Sequence, residues 1–379
     1  MKHRVRVEID LAALRRNYGR VVRHVAPAEV LCVLKAGAYG LGVRQYARSL
    51  VKAGCRRFGV AEPFEAMELM RVLEKMRLSG GEVRVQILSS ILPDEIEEMV
   101  ASGVVLPVTS VESAEAINAA AAKLGKKAAV HFKIDTGMGR LGIPAREAVR
   151  AVKAVKRLEW LDCEGIFSHC PVAYDPGDPF TAGQIAAFSR IVLRLKREGV
   201  SFRHVHVAAS DAVNNFPSAA RPPFNMVRTG INLHGSFDPN GRRALNVEPV
   251  LTLKTTVAQV RRLPAGTTLG YGRTHKLAKA AKIATISAGY ADGLPLQLSN
   301  RGSVFIGGKR CPVVGRISMD YTTVDVSAVD EVACGDEVIC LGRSGDDAIT
   351  PDDWAEIKGT HAYDIICSLG ARVERKVSR

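Results

Sequence analysis

Between residues 30 and 233 the chain repeats one rhythm. A short run of consecutive apolar residues is followed by a longer segment whose apolar positions recur every three to four residues. The first pattern predicts a strand buried on both faces, the second an amphipathic helix. The predicted strands are Val30–Leu34, Arg57–Ala61, Val83–Leu88, Val104–Val108, Ala129–Ile134, Cys163–Ser168, His204–Ala208 and Met226–Leu233. The helical patterns between them include Val43–Ala53, Pro63–Arg77, Pro93–Ala101, Ser113–Leu124, Pro144–Val155 and Ala182–Arg197. Ahead of this series Arg4–Ile9 alternates polar and apolar residues, as in a half-buried strand. Asp10 then caps a helix whose apolar face is Leu11, Leu14, Tyr18, Val21, Val22 and Val25.

Eight strand–helix units in series predict an α/β fold whose N-terminal part is a (β/α)8 TIM barrel. A doubly wound open sheet is the alternative by pattern, and the lack of a G-x-G-x-x-G stretch after the first strand weakens its dinucleotide-binding form. After the turn-rich Asp238-Pro-Asn-Gly-Arg-Arg the texture changes to short β-rich runs: Leu251–Val260, Lys282–Ile286, Ser303–Ile306, Val313–Ile317, Thr322–Val326 and Glu337–Leu341. Helical patterns return at Asp352–Lys358 and Ala362–Leu369. The expected organisation is a barrel domain over 1–241 and a C-terminal β-rich domain over 242–379, with residues 1–9 pairing with the latter.

At 379 residues, 47% hydrophobic and 24% charged, the chain has room for two such units and an ordinary globular composition. The net charge of +14 raises nucleic-acid binding as a class. Its basic residues, however, lie scattered on helical patterns such as Arg146–Arg157 and Arg190–Arg197, and only 6% of residues are aromatic. A solvated basic surface that attracts small anions fits better than a nucleic-acid groove. The eight cysteines show no C-x-x-C spacing, so reduced thiols and no structural metal are expected. No apolar run reaches membrane-spanning length, and the N-terminus lacks an apolar core of the secretory type; a cytoplasmic protein is expected.

The chemistry concentrates where barrel strands end. Lys35 directly follows the first apolar run and precedes Gly37, Tyr39, Gly40 and Gly42. A lysine at the end of a buried strand can be desolvated, which lowers its pKa and makes it a nucleophile toward carbonyls; the plain alternative is a lysine that snorkels. The fifth strand leads into Lys133-Ile134-Asp135-Thr136-Gly137-Met138-Gly139-Arg140-Leu141-Gly142, which by itself reads more readily as a structural ion pair. The sixth ends at Ser168-His169, the seventh at His206-Val207-Ala208-Ala209-Ser210, and the eighth carries Met226-Val227-Arg228-Thr229-Gly230-Ile231. The C-terminal part offers Gly289-Tyr290-Ala291-Asp292-Gly293, Gly315-Arg316-Ile317-Ser318-Met319-Asp320 and Ala362-Tyr363-Asp364.

In motif order, from Val7-Glu8-Ile9-Asp10-Leu11 to Cys367, these strings resemble the alanine racemases, fold-type III enzymes dependent on pyridoxal 5′-phosphate (PLP). L-K-A-G-A-Y-G-L-G stands where that family typically has V-K-A-N-A-Y-G-H-G. The resemblance implies that Lys35 carries the cofactor and is one catalytic base, with Tyr290 as the second base on the opposite face of the substrate Cα. It places Tyr39, Ser210, Gly230, Ile231 and Tyr363 at the cofactor phosphate, His169 against the pyridine ring, and Arg228 at the ring nitrogen. It assigns Arg140 and the Met319 backbone to the substrate, and Lys133 to a carbamylated lysine that gives Arg140 an anionic neighbour. An arginine at the ring nitrogen keeps that nitrogen unprotonated, which favours simple proton exchange. The implied function is interconversion of L- and D-alanine for peptidoglycan synthesis, in a head-to-tail homodimer whose sites take residues from both subunits. The sequence departs from the family pattern at Gly37, Leu41, Ala209, Thr229 and Cys170–Tyr174. A racemase of serine or of broader specificity shares every motif, and a non-catalytic PLP-binding protein is the alternative from another class.

Overall fold

The computed structural model describes residues 3–78, 82–238 and 240–378. Eight parallel strands form its first half: β2 (Glu29–Val33), β3 (Arg57–Val60), β4 (Arg84–Ile87), β5 (Leu106–Val108), β6 (Ala128–Asp135), β7 (Leu161–Phe167), β8 (His204–His206) and β9 (Met226–Thr229). Their ladders run in two groups, β9-β2-β3-β4 and β5-β6-β7-β8. A parallel bridge between Gln86 and Val105 joins the groups on one side. On the other, Asn225 and Arg228 donate backbone N–H groups to Val205 and Ala208, each at 3.0 Å. The sheet therefore closes into a barrel.

The strands run within a residue or two of the apolar runs, except at the last. The run Met226–Leu233 stops being a strand at Thr229, and Ile231–His234 forms a 3-10 turn instead. Gly230 lies flush against the Tyr39 phenol, where a Cβ would collide with its hydroxyl, so the close approach of the two requires glycine. Helices α1 (Leu11–Val25), α2 (Val43–Lys52), α3 (Pro63–Glu74), α4 (Ile96–Ser102), α5 (Val111–Lys123), α6 (Ala148–Val155) and α7 (Pro179–Arg197) pack outside. Asp10 caps α1 as its position predicts, accepting the N–H groups of Ala12 and Ala13 at 2.8 Å. One face position differs: Val22 is exposed and Asn17 is buried in its stead. Asn17 earns burial by satisfying backbone, donating to the Leu233 and Glu248 carbonyls and accepting the Glu248 N–H at 2.8 Å.

The C-terminal region is a twisted, mainly antiparallel sheet built on Leu251–Leu263, which pairs with Ala281–Ile286 and Glu337–Ser344. Strand β1 (Arg6–Asp10) joins this sheet rather than the barrel, antiparallel to Leu251–Leu263 and parallel to the final strand Glu374–Ser378. The first and last strands thus lie side by side. The predicted strand Val313–Ile317 is a turn; only Val313 bridges, to Val324. Gly315 has φ +85°, and a Cβ there would press on the Leu269 carbonyl, so the segment cannot run extended.

Candidate active site

The strand ends place the predicted barrel residues around one mouth. Lys35 follows β2, Lys133 lies in β6, His169 follows β7, Ser210 follows β8 and Arg228 lies in β9. The charges that act on His169 are those of Arg228, Arg140, Lys133 and Lys35. Burial first, and these four cations second, push its imidazole down to about 3, so it is neutral at any ordinary pH.

Arg228 is 5% exposed and has no carboxylate to pair with among the described residues. It donates to the Ser168 carbonyl at 2.8 Å and the Val207 carbonyl at 3.2 Å, and faces His206 Nδ1 at 2.9 Å and His169 Nδ1 at 3.3 Å. Burial pulls its pKa down to about 10. Behind it, His206 Nε2 meets His131 Nδ1 at 3.0 Å, and His131 Nε2 lies 3.4 Å from Glu164. Gly165 makes room for the His131 ring, since a Cβ there would run into it.

The expected desolvated lysine is a different one. Lys35 is exposed on the single chain, whereas Lys133 is 6% exposed and donates to the Leu88 carbonyl at 2.6 Å. Burial, then the neighbouring Arg228 and Arg140, bring Lys133 to about 8. The reason is position: Lys133 sits inside a strand of the closed barrel, and Lys35 lies beyond the end of its strand.

Lys35 opens a turn in which Ala36, Gly37, Ala38 and Tyr39 have φ of 51°, 61°, 58° and 58°. This is the left-handed region, where glycine is free and Asn is the best tolerated alternative. The exchange of the family's Asn for Gly37 is therefore conformationally neutral. Leu41, in the place of His, is fully buried. Tyr39 packs edge-on to His234 at 4.6 Å and tilted against Tyr363 at 5.8 Å between ring centroids. Ser210 accepts the Gly230 N–H at 3.0 Å, and Tyr363 reaches the same hydroxyl. Tyr39, Ser210, Gly230, Ile231 and Tyr363 thus gather as one cluster of donors. Asp211, partly buried near Asp238, has its carboxyl raised to about 6, chiefly by desolvation.

In the loop after β6, Asp135 accepts the N–H groups of Gly137 and Met138 at 2.8 Å and of Gly139 at 2.9 Å. That fold turns Arg140 out to the surface at the mouth. Tyr290 opens a 3-10 turn, Tyr290–Asp292, and Met319 lies in the loop before the strand Thr322–Asp325, both in the C-terminal region. The Tyr290 N–H donates to Ser318 at 3.0 Å and Ala291 N–H to Met319 at 3.1 Å. Asp292 anchors this loop by accepting the Gly289 N–H at 3.0 Å and by pairing with Arg372 at 2.7 Å. Tyr290 is 46% exposed and Met319 53%. No contact among the described residues brings either to Lys35 within one chain.

The chain matches the model of the alanine racemase N-terminal domain over residues 9–238 and that of the alanine racemase C-terminal domain over residues 250–377. It belongs to the alanine racemase family. Among curated relatives, the alanine racemase of Geobacter sulfurreducens is 38% identical over 376 residues, covering 97% of this chain and 95% of its own. That of Halothermothrix orenii is 36% identical over 372 residues, with the same coverage. Among solved structures, alanine racemase from D-cycloserine producing Streptomyces lavendulae superposes with a TM-score of 0.91 at 32% identity, over 100% of this chain and 98% of that one. Alanine racemase from Bartonella henselae with covalently bound pyridoxal phosphate gives 0.88 at 30% identity over 100% of both chains.

Several groups that shape this family site escape a reading by pattern. Glu164 and His131 point into the barrel, but barrel strands read as continuous apolar runs and do not mark which face a polar residue takes. Asp211 stands out only as the neighbour of Ser210. Glu65 and Arg375, which bond the turn after Lys35, lie 30 and 340 residues from it.

Proposed function

We propose that this chain racemises alanine with PLP carried on Lys35, using Lys35 and Tyr290 as the two bases. The observation that carries the reading is the meeting of four cations around His169 with the donor cluster of Tyr39, Ser210, Gly230, Ile231 and Tyr363. An anionic cofactor and an anionic substrate suit this mouth, and the hydroxyl and N–H groups suit a phosphate. The residues present therefore fit PLP, whose ring when bound accepts the electron pair left at Cα after proton loss.

This chain's residues then do the rest. Lys35 Nζ removes or returns the α-proton on one face, and Tyr290 Oη does so on the other. Arg140 pairs with the substrate carboxylate. Met319 offers backbone to the substrate. Arg228 would lie at the ring nitrogen of bound PLP, and the neutral His169 would face the ring without adding charge. With Lys133 brought to about 8, a useful fraction of its amine is neutral at physiological pH, which is the form that takes up carbon dioxide to become a carbamate beside Arg140.

Tyr290 belongs to the partner's site in a head-to-tail homodimer. Two exposed apolar sets support such a face: Phe64 and Leu92 on the barrel rim, and Tyr271, Met319 and Tyr321 on the β-rich region. The functional units are 1–241, binding PLP, and 242–379, delivering the second base. The product D-alanine would serve peptidoglycan synthesis in the cytoplasm.

The test is circular dichroism of L-alanine and of D-alanine incubated separately with protein and PLP. Both should decay to the same racemic endpoint. Faster turnover of serine would move the substrate assignment. No change with either amino acid, while borohydride removes the visible absorbance of lysine-bound PLP, would leave the cofactor and withdraw the activity.

A further inference from the structure

Lys35 and Tyr39 bracket a backbone segment that an L-chain avoids. Five successive positive φ values, from Ala36 to Gly40, make a left-handed turn, and only Gly37 and Gly40 escape the clash of Cβ with carbonyl oxygen. Such a turn persists only where its surroundings over-determine it. Its own bonds, Gly40 N–H to Ala36 at 2.6 Å and Gly42 N–H to Gly37 at 2.8 Å, close it but do not aim it.

Two charged side chains from distant elements hold its ends. At the start, Glu65 of α3 accepts the Ala36 N–H with one oxygen and the Ala61 and Glu62 N–H groups, at 2.7 and 3.2 Å, with the other. At the far end, Arg375 donates from Nε to the Gly40 carbonyl at 3.0 Å. Its remaining nitrogens donate to the carbonyls of Leu369, Gly370 and Val373 at 2.8, 2.6 and 2.6 Å. A half-buried guanidinium that serves four backbone carbonyls and has no carboxylate partner among the described residues is expensive to keep. Those carbonyls are informative. Gly40 follows Tyr39, and Leu369 and Gly370 lie just past the helix Ala362–Cys367 that carries Tyr363. One guanidinium therefore ties together the backbones of both phenols.

We propose that Arg375 is a positioning residue that sets the Tyr39–Tyr363 spacing for the cofactor phosphate, and that Glu65 is its counterpart at the Lys35 end of the turn. The proposal rests on the assignment of PLP to Lys35. It makes the last strand of the chain a determinant of cofactor retention, through a side chain that does not touch the cofactor.

The two ends should separate when PLP is compared with pyridoxal, which lacks the phosphate. In full-length protein stripped of cofactor, Arg375→Ala should weaken PLP binding by about tenfold or more, the worth of one charge-assisted hydrogen bond. Pyridoxal binding should change little. Arg375→Lys should recover part of the loss, whereas Glu65→Gln should weaken PLP and pyridoxal alike. Equal losses for both ligands in Arg375→Ala, or unchanged PLP affinity with a lower Tm, would reduce Arg375 to a structural role. Amide hydrogen exchange of residues 36–42 gives a cofactor-independent reading. Arg375→Ala should speed it relative to wild type, and unchanged exchange overturns the clamp. If wild-type protein binds neither ligand, the PLP assignment fails, and the exchange comparison still decides the clamp.

Discussion

Tyr290 is where the chemistry is sharpest at the scale of one residue. A phenol with an ordinary pKa of about 10 is a weak base at neutrality. Within one chain Arg140 lies in the loop after β6, while Tyr290 opens a 3-10 turn of the C-terminal region. Removing the hydroxyl leaves the packing of this exposed ring almost unchanged, so Tyr290→Phe should keep PLP absorbance and Tm. Racemase activity should fall by about 10²- to 10⁴-fold, the usual worth of a general acid–base group, with a larger loss in one direction. Full activity both ways in a progress-curve assay would remove Tyr290 from the mechanism. Lys35 and Lys133 show the complementary lesson. Both follow apolar residues in the sequence, and only the one inside a closed strand is desolvated.

Among elements, the loop bearing Tyr290 is the most tightly specified. Gly289 has φ −146°, which any residue adopts, so its requirement is space and not conformation. A Cβ there would run into the carbonyls of Ser318 and Met319, the same carbonyl groups that accept the Tyr290 and Ala291 N–H groups. Both obstacles are backbone and cannot swing aside. Gly289→Ala should therefore push the Tyr290 and Met319 loops apart. Activity should fall by about tenfold or more, at a stability cost of about 1–3 kcal/mol for overpacking. Kinetics beside urea denaturation would check this; unchanged kcat/KM would mean the loops tolerate separation. The left-handed turn after Lys35 is the opposite case, with conformation the constraint and open space around Gly37.

For the whole molecule, the separation of Tyr290 from the barrel mouth predicts complementation. Lys35→Ala and Tyr290→Phe proteins should each be nearly inactive alone. If mixed subunits exchange at random, half of the dimers are mixed and each holds one intact site. About a quarter of wild-type activity should then appear. No recovery after demonstrated subunit exchange would place both bases in one chain. A second whole-molecule property is acid sensitivity. His131, His169, His204, His206 and His234 are all held below the ordinary value of 6.5, in each case chiefly by burial. In the unfolded chain they take up protons near 6.5. Below that pH the unfolded state binds more protons than the fold, so stability falls as pH drops from 6.5 toward about 3. The urea midpoint of the cofactor-free chain should be lower at pH 5 than at pH 7. A flat midpoint would show these imidazoles protonate freely within the fold.

Much of this molecule is local in origin. Buried parallel strands must be apolar on both faces and their crossover helices on one, so eight apolar runs and the helical periods between them point to a parallel α/β fold, while the closure into a barrel is seen in the bonds between its two groups of strands. Asp10 caps its helix through bonds to the residues two and three positions on, and the motif strings around Lys35, Arg140, Arg228 and Tyr290 carry the family. What local pattern does not contain is distance across the chain. That Lys133 and not Lys35 is desolvated, and that Val313–Ile317 turns at Gly315 against Leu269, follow from contacts between residues far apart in sequence. The same holds for Glu65 and Arg375. Their value comes from a backbone strain and a set of carbonyls that exist only after the barrel has closed and the last strand has paired with the first.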